Sequence, residues 1–378
     1  MSVKKAFLWS LLATSTAAKT CYNSSIEISV SSRNGVFDNL PTPQTNLDTT
    51  AFITAATRPG HNGTQEALTN YSTVSGTYNI STQYCKPDTS TPGAGPVLQI
   101  LTHGFAFDKA YWDLPYNNFN YSYVDNALSH GYHTLSYDRL GIGNSSHGDP
   151  KNEIQVFLEV AALAQITQMA RNGSFPKAEK PRKIVHVGHS FGSIQTYGLT
   201  AIYPTISDGI ILTGFSANAS FQPLFLAGAN FQQTHLQQPD SGYSPGYLSS
   251  SDISANQYLF FSAPYFDPGI LSFAEATKQP VTVGELLTAG SALSSSQFTG
   301  PVLIITGSGD LPFCGGDCLA TGGSAASIPE EAAKGFPAAK VFQAYIQPNT
   351  GHGLNLHYNA TGAYEYITDF LRQNGLGA

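Results

Sequence analysis

The sequence predicts an α/β fold in which a mostly parallel β-sheet carries helices on both faces. Six apolar runs of four to six residues, bounded by glycine or polar residues, are typical of strands buried on both faces of a sheet. Segments compatible with helices lie between several of these runs. Alternation of strands and helices is the pattern of a parallel sheet, so the alternation predicts this fold class.

The strands and helices can be placed in order along the chain. The strand candidates are residues 97–101, 134–137, 184–187, 209–212, 302–305 and 341–346. The clearest helix candidate spans residues 156–171, and residues 194–201 and 363–371 are also compatible with helices. Upstream, residues 25–31 and 76–84 alternate as half-buried strands do, and we expect them to form the first two strands.

Residues 216–296 interrupt the alternation of strand and helix candidates. The segment, with Phe298 at its edge, holds twelve aromatic residues and few charges. A structureless loop of this length is improbable in a compact domain, so we expect an inserted cap within a single domain spanning residues 19–378. The alternative is that the segment is additional core, and the two interpretations are compatible.

The composition excludes several classes of protein. Charged residues make up 11% of the chain, against about 25% in an average soluble domain, while hydrophobic residues make up 41%. Disorder requires the opposite balance. The net charge is −7 and Lys and Arg do not cluster, which argues against a nucleic-acid partner. No apolar stretch of membrane-spanning length follows the N-terminus.

The N-terminus has the pattern of a secretory signal peptide over residues 1–18. Lys4 and Lys5 form a basic region, residues 6–13 are apolar, and small residues end at Ala18. We therefore expect a secreted protein, although a buried N-terminal helix is the alternative. Nine Asn-x-Ser/Thr sequons then predict glycosylation at some of these sites: Asn23, Asn62, Asn70, Asn79, Asn120, Asn144, Asn172, Asn218 and Asn359.

Four cysteines follow the signal peptide, and an even count in a secreted chain predicts two disulfides. We expect Cys21 to pair with Cys85 and Cys314 with Cys318. A metal site at Cys314 and Cys318 is the alternative, but no second pair of ligands with matching spacing is present.

The strongest chemical signal is Gly188-His189-Ser190-Phe191-Gly192, which has the form G-x-S-x-G. An apolar strand candidate precedes it and a segment compatible with a helix follows from residue 193. In that context the motif makes a sharp turn that exposes the serine hydroxyl at the helix N-terminus. We therefore expect Ser190 to be a nucleophile.

A serine hydroxyl needs a general base and an acid that orients the base, and with this motif the acid and then the base follow the serine in the chain. His352 follows the last strand candidate between two glycines and is our candidate base; His235 and His357 are the other histidines after Ser190. Asp310 follows the penultimate strand and is our candidate acid, with Asp317 as the alternative. A Cys314–Cys318 bridge would hold the loop behind Asp310.

The negative oxygen that forms during serine attack needs preorganised donors. One expected donor is the backbone N–H of Phe191, the residue after the nucleophile. The other is the N–H of Phe105, in the loop that begins His103-Gly104. We expect His103 to hold this loop by hydrogen bonds, because it precedes Ser190 in the chain.

These residues together resemble a secreted fungal α/β-hydrolase of the AB hydrolase-1 type. The resemblance rests on the G-x-S-x-G motif and on four further segments, and it covers the chain from about residue 95 onward: residues 103–105, 137–145, 309–310 and 351–352. It implies an eight-stranded sheet with a variable cap, and a structural role for Asp138 and Arg139. Related dehalogenases and epoxide hydrolases use an aspartate nucleophile, from which Ser190 departs.

The expected function is that of a serine esterase acting on a small apolar or aromatic substrate through an acyl-enzyme. This chemistry requires neither a metal nor an organic cofactor. One alternative is an enzyme of a secondary-metabolite pathway that performs lactone opening, acyl transfer or cyclisation. A second alternative is a non-catalytic binding protein of the same fold. The sequence predicts no oligomeric state.

Overall fold

The main sheet has eight strands, and most of it is parallel. The computed structural model describes residues 19–88 and 95–378, so the signal peptide predicted at 1–18 lies outside the described residues. The strands are β1 (Lys19–Val36), β2 (Asn70–Pro87), β3 (Val97–Thr102), β4 (His133–Tyr137), β5 (Lys183–His189), β6 (Gly209–Thr213), β7 (Gln232–Gln233), β8 (Tyr247–Ser249), β9 (Val281–Thr282), β10 (Val302–Gly307) and β11 (Phe342–Gln347).

The main sheet has the order β1-β2-β4-β3-β5-β6-β10-β11. From β4 to β11 all neighbours are parallel, whereas β1 pairs with β2 and β2 with β4 in antiparallel fashion. Every predicted apolar run forms a strand. Side chains on both faces are buried in most of them, as in β3, β4 and β6, whereas β11 at the edge of the sheet is half-buried. The predicted fold class is confirmed.

Helices flank the sheet in two groups. They are α1 (Asn46–Ala56), α2 (Gly63–Ala67), α3 (Tyr123–Ser129), α4 (Val156–Asn172), α5 (Phe191–Ile202), α6 (Gln222–Ala229), α7 (Thr234–Gln237), α8 (Ile253–Phe260), α9 (Pro268–Ala276), α10 (Val283–Thr288), α11 (Leu311–Cys314) and α12 (Ala360–Gln373). Helices α4 and α5 pack together against the sheet, and α3 packs with α12. Within residues 19–88 and 95–378, no helix has both the length and the apolar character needed to cross a bilayer.

The first two strands are longer than the sequence predicted. Strands β1 and β2 pair over 18 residues each, from Lys19 opposite Pro87 to Val36 opposite Asn70. One face of β1 buries Ile26 and Ile28, and β1 packs against α4. The outer parts of both strands are polar and more exposed, so they carry no apolar alternation from which their pairing could be predicted.

Two long connections between strands lie outside the main sheet, and we call them the first and the second excursion. The first joins β1 to β2 over residues 37–69 and contains α1 and α2. The second joins β6 to β10 and includes the predicted insertion at 216–296; it contains α6 to α10 and the small antiparallel sheet β7-β8-β9. Helix α1 contacts α6 and β7, and the Gln233 side chain donates hydrogen bonds to the Pro43 carbonyl at 3.1 Å and the Thr49 hydroxyl at 2.8 Å. The two excursions therefore pack against each other.

Both predicted disulfides are present. Cys21 and Cys85 lie directly opposite each other on β1 and β2, and Cys314 bonds Cys318 just after α11. Glycosylation stays a prediction, but most sequon side chains are accessible. Those of Asn218 and Asn359 are half-buried, and the others are exposed: Asn23, Asn62, Asn70, Asn79, Asn120, Asn144 and Asn172.

Candidate active site

Three loops at one edge of the main sheet bring the predicted site residues together. Ser190 follows β5, Asp310 follows β10, and His352 lies in the loop after β11. Because these strands are parallel, their carboxyl ends meet at the same edge of the sheet. Residues that are 162 and 42 positions apart in the chain are thereby brought within hydrogen-bonding distance.

Ser190, His352 and Asp310 form a continuous hydrogen-bonded chain. A carboxylate can only accept, so His352 Nδ1–H donates to Asp310 Oδ2 at 2.9 Å, which leaves Nε2 as an acceptor. The Ser190 hydroxyl donates to that Nε2 at 2.8 Å. His352 and Asp310 are buried, and Ser190 is 6% exposed. Ser190 is therefore the most exposed of the three hydrogen-bonded residues.

The turn at Ser190 is strained and tightly packed. Ser190 has φ 55° and ψ −115°, a conformation that L-residues rarely adopt. A Cβ at Gly192 would lie 2.1 Å from the Thr102 carbonyl oxygen, so only glycine fits where the turn passes β3. Helix α5 begins at Phe191, two residues before the predicted start, because the turn leads directly into its first helical turn.

Two further donors besides His352 hold the Asp310 carboxylate. The Thr306 hydroxyl donates to Asp310 Oδ2, and the Phe313 N–H donates to Oδ1 at 3.0 Å, so the carboxylate also caps α11. Asp317, the alternative acid, is exposed, and its carboxylate accepts from the Leu319 N–H at 3.0 Å. In the structure Asp310, and not Asp317, is hydrogen-bonded to His352.

Phe105 and Phe191 lie on the other side of Ser190. A Cβ at Gly104 would lie 2.8 Å from the Ser190 Cβ, so the loop carrying Phe105 passes directly beside the serine. Phe191 is the first residue of α5, where backbone N–H groups have no partner within the helix. The two phenyl rings stack with centroids 4.3 Å apart. Both N–H groups thus belong to segments adjacent to the serine.

The side chain of Arg139 packs against both phenyl rings. Its guanidinium lies 4.8 Å from the centre of the Phe191 ring and 5.6 Å from that of Phe105. It donates to Glu159 of α4 at 2.6 Å and to Glu285 of α10. Burial raises the pKa of Glu159 well above its ordinary value, and the neighbouring guanidinium opposes this shift. Arg139 therefore connects the core to the second excursion beneath the two phenylalanines.

His103 has the structural role that the sequence suggested. Its Nδ1–H donates to the Gly104 carbonyl at 2.9 Å, and its Nε2 accepts from the Arg139 N–H at 3.0 Å. Burial, reinforced by the charge of Arg139, holds the pKa of His103 well below its ordinary value. A neutral imidazole therefore fixes the loop that carries Phe105.

His357 is a residue of the site whose role the sequence did not reveal. Its Nε2 accepts from the Gly351 N–H at 3.0 Å and the Ser262 N–H at 2.9 Å, while its Nδ1–H donates to the Gly353 carbonyl at 2.9 Å. Burial lowers its pKa to about 4. His357 therefore contacts the residues on both sides of His352 and ties them to the second excursion. His235, the other histidine considered, lies in α7 within that excursion.

A narrow cavity opens at the Ser190 hydroxyl. Its volume is about 60 Å³, and none of the side chains that line it is charged. The lining residues are Phe105, Ser190, Phe191, Ile194, Gln222, Phe225, Leu226, Leu286, Ala289, Pro312 and Phe313. A group bound here therefore contacts aromatic and aliphatic side chains almost exclusively.

Comparison with known proteins identifies the family. The model of the alpha/beta hydrolase family matches residues 99–362, which is more than half of the chain, so the chain belongs to this family. No curated protein sequence matches the chain. The excursion at residues 37–69 lies outside the matched span.

Two solved structures are similar in fold. One is a thermophilic esterase from Thermogutta terrifontis, with 15% sequence identity and a TM-score of 0.51 over 80% of this chain and 96% of that chain. The other is the enol-lactonase from Burkholderia xenovorans LB400, with 15% identity and a TM-score of 0.50 over 78% of this chain and 97% of that chain. At this identity the likeness concerns the fold alone.

Proposed function

We propose that the protein is a serine hydrolase that cleaves ester-type bonds of small apolar or aromatic substrates. The observation that carries the proposal is the buried hydrogen-bonded chain from Asp310 through His352 to Ser190, which ends at an apolar cavity. A serine placed in this way can be deprotonated by the imidazole as it attacks a carbonyl carbon.

Acylation begins when Ser190 Oγ bonds the ester carbonyl carbon and its proton passes to His352 Nε2. The carbonyl oxygen becomes negative, and the N–H groups of Phe105 and Phe191 stabilise it. Asp310 stabilises the imidazolium and keeps Nδ1 protonated. The bond to the leaving oxygen then breaks, and that oxygen takes the proton from His352, which leaves an acyl group on Ser190.

Deacylation repeats the same steps with water. His352 Nε2 removes a proton from a water molecule as its oxygen bonds the acyl carbon. The bond to Ser190 Oγ then breaks, and the serine recovers its proton from His352. The products are an alcohol and a carboxylic acid, and the residues return to their starting protonation states. No step uses a metal or an organic cofactor.

The apolar substrate follows from the lining of the cavity, and residues 216–296 act as its cap. Phe225, Leu226 and Leu286 come from this segment and line the same cavity as Phe105. Without a charged side chain in the lining, a charged group placed here would lose its hydration without compensation. An alkyl or aryl group beside the ester carbonyl is therefore favoured.

The decisive experiment combines Ser190→Ala with a panel of p-nitrophenyl esters and a fluorophosphonate probe. The wild type should hydrolyse esters and be labelled at Ser190, whereas Ser190→Ala should lose both properties while melting at the same temperature. Ser254→Ala, at an exposed serine of α8, is the matched control and should behave as the wild type.

Three results would contradict this proposal. Equal hydrolysis by Ser190→Ala and the wild type would mean that Ser190 is not the nucleophile. Absence of labelling in the folded wild type would favour a binding protein without catalysis. Labelling without hydrolysis of any ester would instead favour acyl transfer or lactone chemistry at the same serine.

We also propose that the protein is secreted and glycosylated. Support comes from two disulfides and from seven exposed sequons. When the chain is expressed in a eukaryotic secreting host, the mature protein should begin at Lys19, and enzymatic removal of N-glycans should reduce its apparent mass. An unprocessed N-terminus or an unchanged mass would contradict the respective part of the proposal.

A further inference from the structure

A second cavity adjoins the cavity at Ser190. Its volume is about 540 Å³, and three side chains line both cavities: Gln222, Leu226 and Leu286. All three belong to the second excursion, and each has rotatable side-chain bonds. A change of rotamer at these positions can join the two spaces without movement of the backbone.

The outer wall of the second cavity comes from the first excursion. The apolar part of this wall consists of Leu40, Phe52 and Ala55. The polar part consists of Arg58, His61, Asn62 and Glu66. The Thr64 hydroxyl donates to the Leu287 carbonyl at 2.7 Å, which attaches α2 to α10. The wall thus belongs to residues 37–69, outside the span that matches the family.

The reaction geometry decides which part of an ester faces the second cavity. His352 must protonate the leaving oxygen, so the leaving group lies on the His352 side, where the Phe313 ring is 5.5 Å from the imidazole. The opposite side is bounded by Phe105 and Phe225, whose rings are 6.2 Å apart. Leu226 lines the same cavity as Phe225, so we place the shared wall on the acyl side.

The sizes of the two cavities also differ. At about 10–15 Å³ for each water-sized group, the inner cavity of about 60 Å³ holds only a short chain. The outer cavity of about 540 Å³ lies within the range of about 300–1,000 Å³ found for ligand pockets. An acyl group of more than a few carbons exceeds the inner cavity, and the space beyond Leu226 and Leu286 is large enough to hold the remainder.

We propose that the second cavity is an acyl-binding compartment, which makes the preferred substrates esters of medium-length acyl chains with a polar far end. The proposal rests on the proposed esterase function. The carbons nearest the ester contact the inner phenylalanines, and the following carbons contact Phe52 and Ala55. The far end reaches Arg58 and the pair formed by His61 and Glu66, whose side chains are 3.0 Å apart.

The test compares kcat/KM for p-nitrophenyl octanoate and p-nitrophenyl acetate in variants that fill the compartment. Leu226→Trp narrows the passage, and Ala55→Trp fills the outer wall. Each should lower the octanoate-to-acetate ratio at least about tenfold, because the longer acyl chain loses burial of several methylene groups. Leu226→Ala should raise the ratio.

Each variant has a control on its own helix. Leu224 is 41% exposed on α6 and Ala51 is exposed on α1, and neither lines the two cavities. Leu224→Trp and Ala51→Trp should leave the octanoate-to-acetate ratio within about twofold of the wild type, which is less than about 0.5 kcal/mol. Melting temperatures identify any variant that is unfolded.

The outcomes separate the two proposals. If hydrolysis depends on Ser190 but each tryptophan variant keeps the ratio of its control, the acyl compartment is wrong and the esterase function stands. If the wild type hydrolyses no ester, or Ser190→Ala matches it, both proposals are overturned. A ratio that falls in Ala55→Trp and not in Ala51→Trp supports the compartment, because residue 55 lies outside the immediate surroundings of Ser190.

Discussion

The loops at the strand ends and the two excursions that cover them are built differently. Ser190 and Asp310 follow buried strands, His352 follows the half-buried strand β11 within a few residues, and hydrogen bonds fix each of them. The covering segments, residues 37–69 and 216–296, contain short helices and, in the second, a small three-stranded sheet, and the cavity surfaces they supply are mostly apolar side chains. In the proposed function the loops set the chemistry, whereas the excursions set the shape of the bound group.

This difference means that reaction and selectivity can be altered separately at most positions. The buried cluster of Arg139, Glu159 and Glu285 is an exception, since it joins the loop after β4 and helix α4 to the second excursion. His357 is another, because its Nε2 binds both the His352 loop and Ser262. Substitutions at these connections should affect both regions, and substitutions elsewhere should affect one.

The largest expected effect separates the two candidate acids. Asp310→Asn removes the charge that holds His352 Nδ1 protonated, so kcat should fall by about 10⁴-fold. Asp317→Asn is the matched control on the same segment, and its exposed carboxylate does not contact His352. Steady-state kinetics of both variants on one ester measure the contrast. A comparable loss in Asp317→Asn would refute the assignment.

The next effect concerns the connection at Arg139. Arg139→Met leaves Glu159 and Glu285 buried without their cation, which should lower the free energy of unfolding by about 3–5 kcal/mol. Arg372→Met, at an exposed arginine of α12, should change it by less than about 0.5 kcal/mol. Urea unfolding of both variants provides the measurement. Equal stabilities would show that the buried cluster contributes nothing specific.

The two disulfides should act on different properties. Removing the Cys21–Cys85 bridge, which spans 64 positions, should cost about 4 kcal/mol of stability without changing kcat. Removing the Cys314–Cys318 bridge, which spans 4 positions, should cost about 2 kcal/mol and also lower kcat severalfold, because it closes the turn behind Asp310. Double serine variants, assayed by melting and by kinetics, test this. Unchanged kcat in the second variant would refute the role in positioning.

The smallest effect involves His357 and depends on pH. The pKa of His357 is about 4 in the folded protein and about 6.5 in the unfolded chain. Between about pH 4 and about pH 6.5 the unfolded chain therefore binds more protons, so the stability of the folded protein falls as the pH decreases. His357→Gln keeps an acceptor but does not titrate. The substitution should lower kcat about tenfold, because it displaces His352. The variant should also lose less stability than the wild type when the pH is lowered from about 7 to about 4.

Melting temperatures across this pH range, together with kcat at neutral pH, measure both effects of His357→Gln. His186 is unchanged in the variant and still contributes, since burial lowers its pKa to about 3. His147→Gln, at an exposed histidine, is the control and should keep the pH dependence of the wild type. The same pH dependence in His357→Gln and the wild type would contradict the prediction.

Much of the fold was accessible from the sequence because buried strands carry a strong signal. The apolar run at 184–187 and the glycines around Ser190 predicted the strand, the turn and the following helix. The chain order of Ser190, Asp310 and His352 was sufficient to select three residues that the structure brings into contact. Both disulfide pairings were also predicted.

Other features have no local signature. The role of His357 depends on Ser262, which is 95 positions away in the chain. The second cavity depends on contacts of α1 and α2 with the other excursion, and these short helices have no strong apolar face. The extensions of β1 and β2 are held by backbone pairing between polar residues. Such features arise from tertiary contacts, which residue patterns do not encode.

The ribbon formed by β1 and β2 has an evolutionary consequence. Val36 and Asn70 are paired, so residues 37–69 leave the sheet and return to it at a single point. Closing a flexible loop of twice the length costs only about 0.6 kcal/mol more. During evolution this segment can therefore be lengthened, shortened or replaced without a change in the register of any strand. New substrate ranges can then arise by exchange of one surface segment, with the proposed nucleophile inherited unchanged.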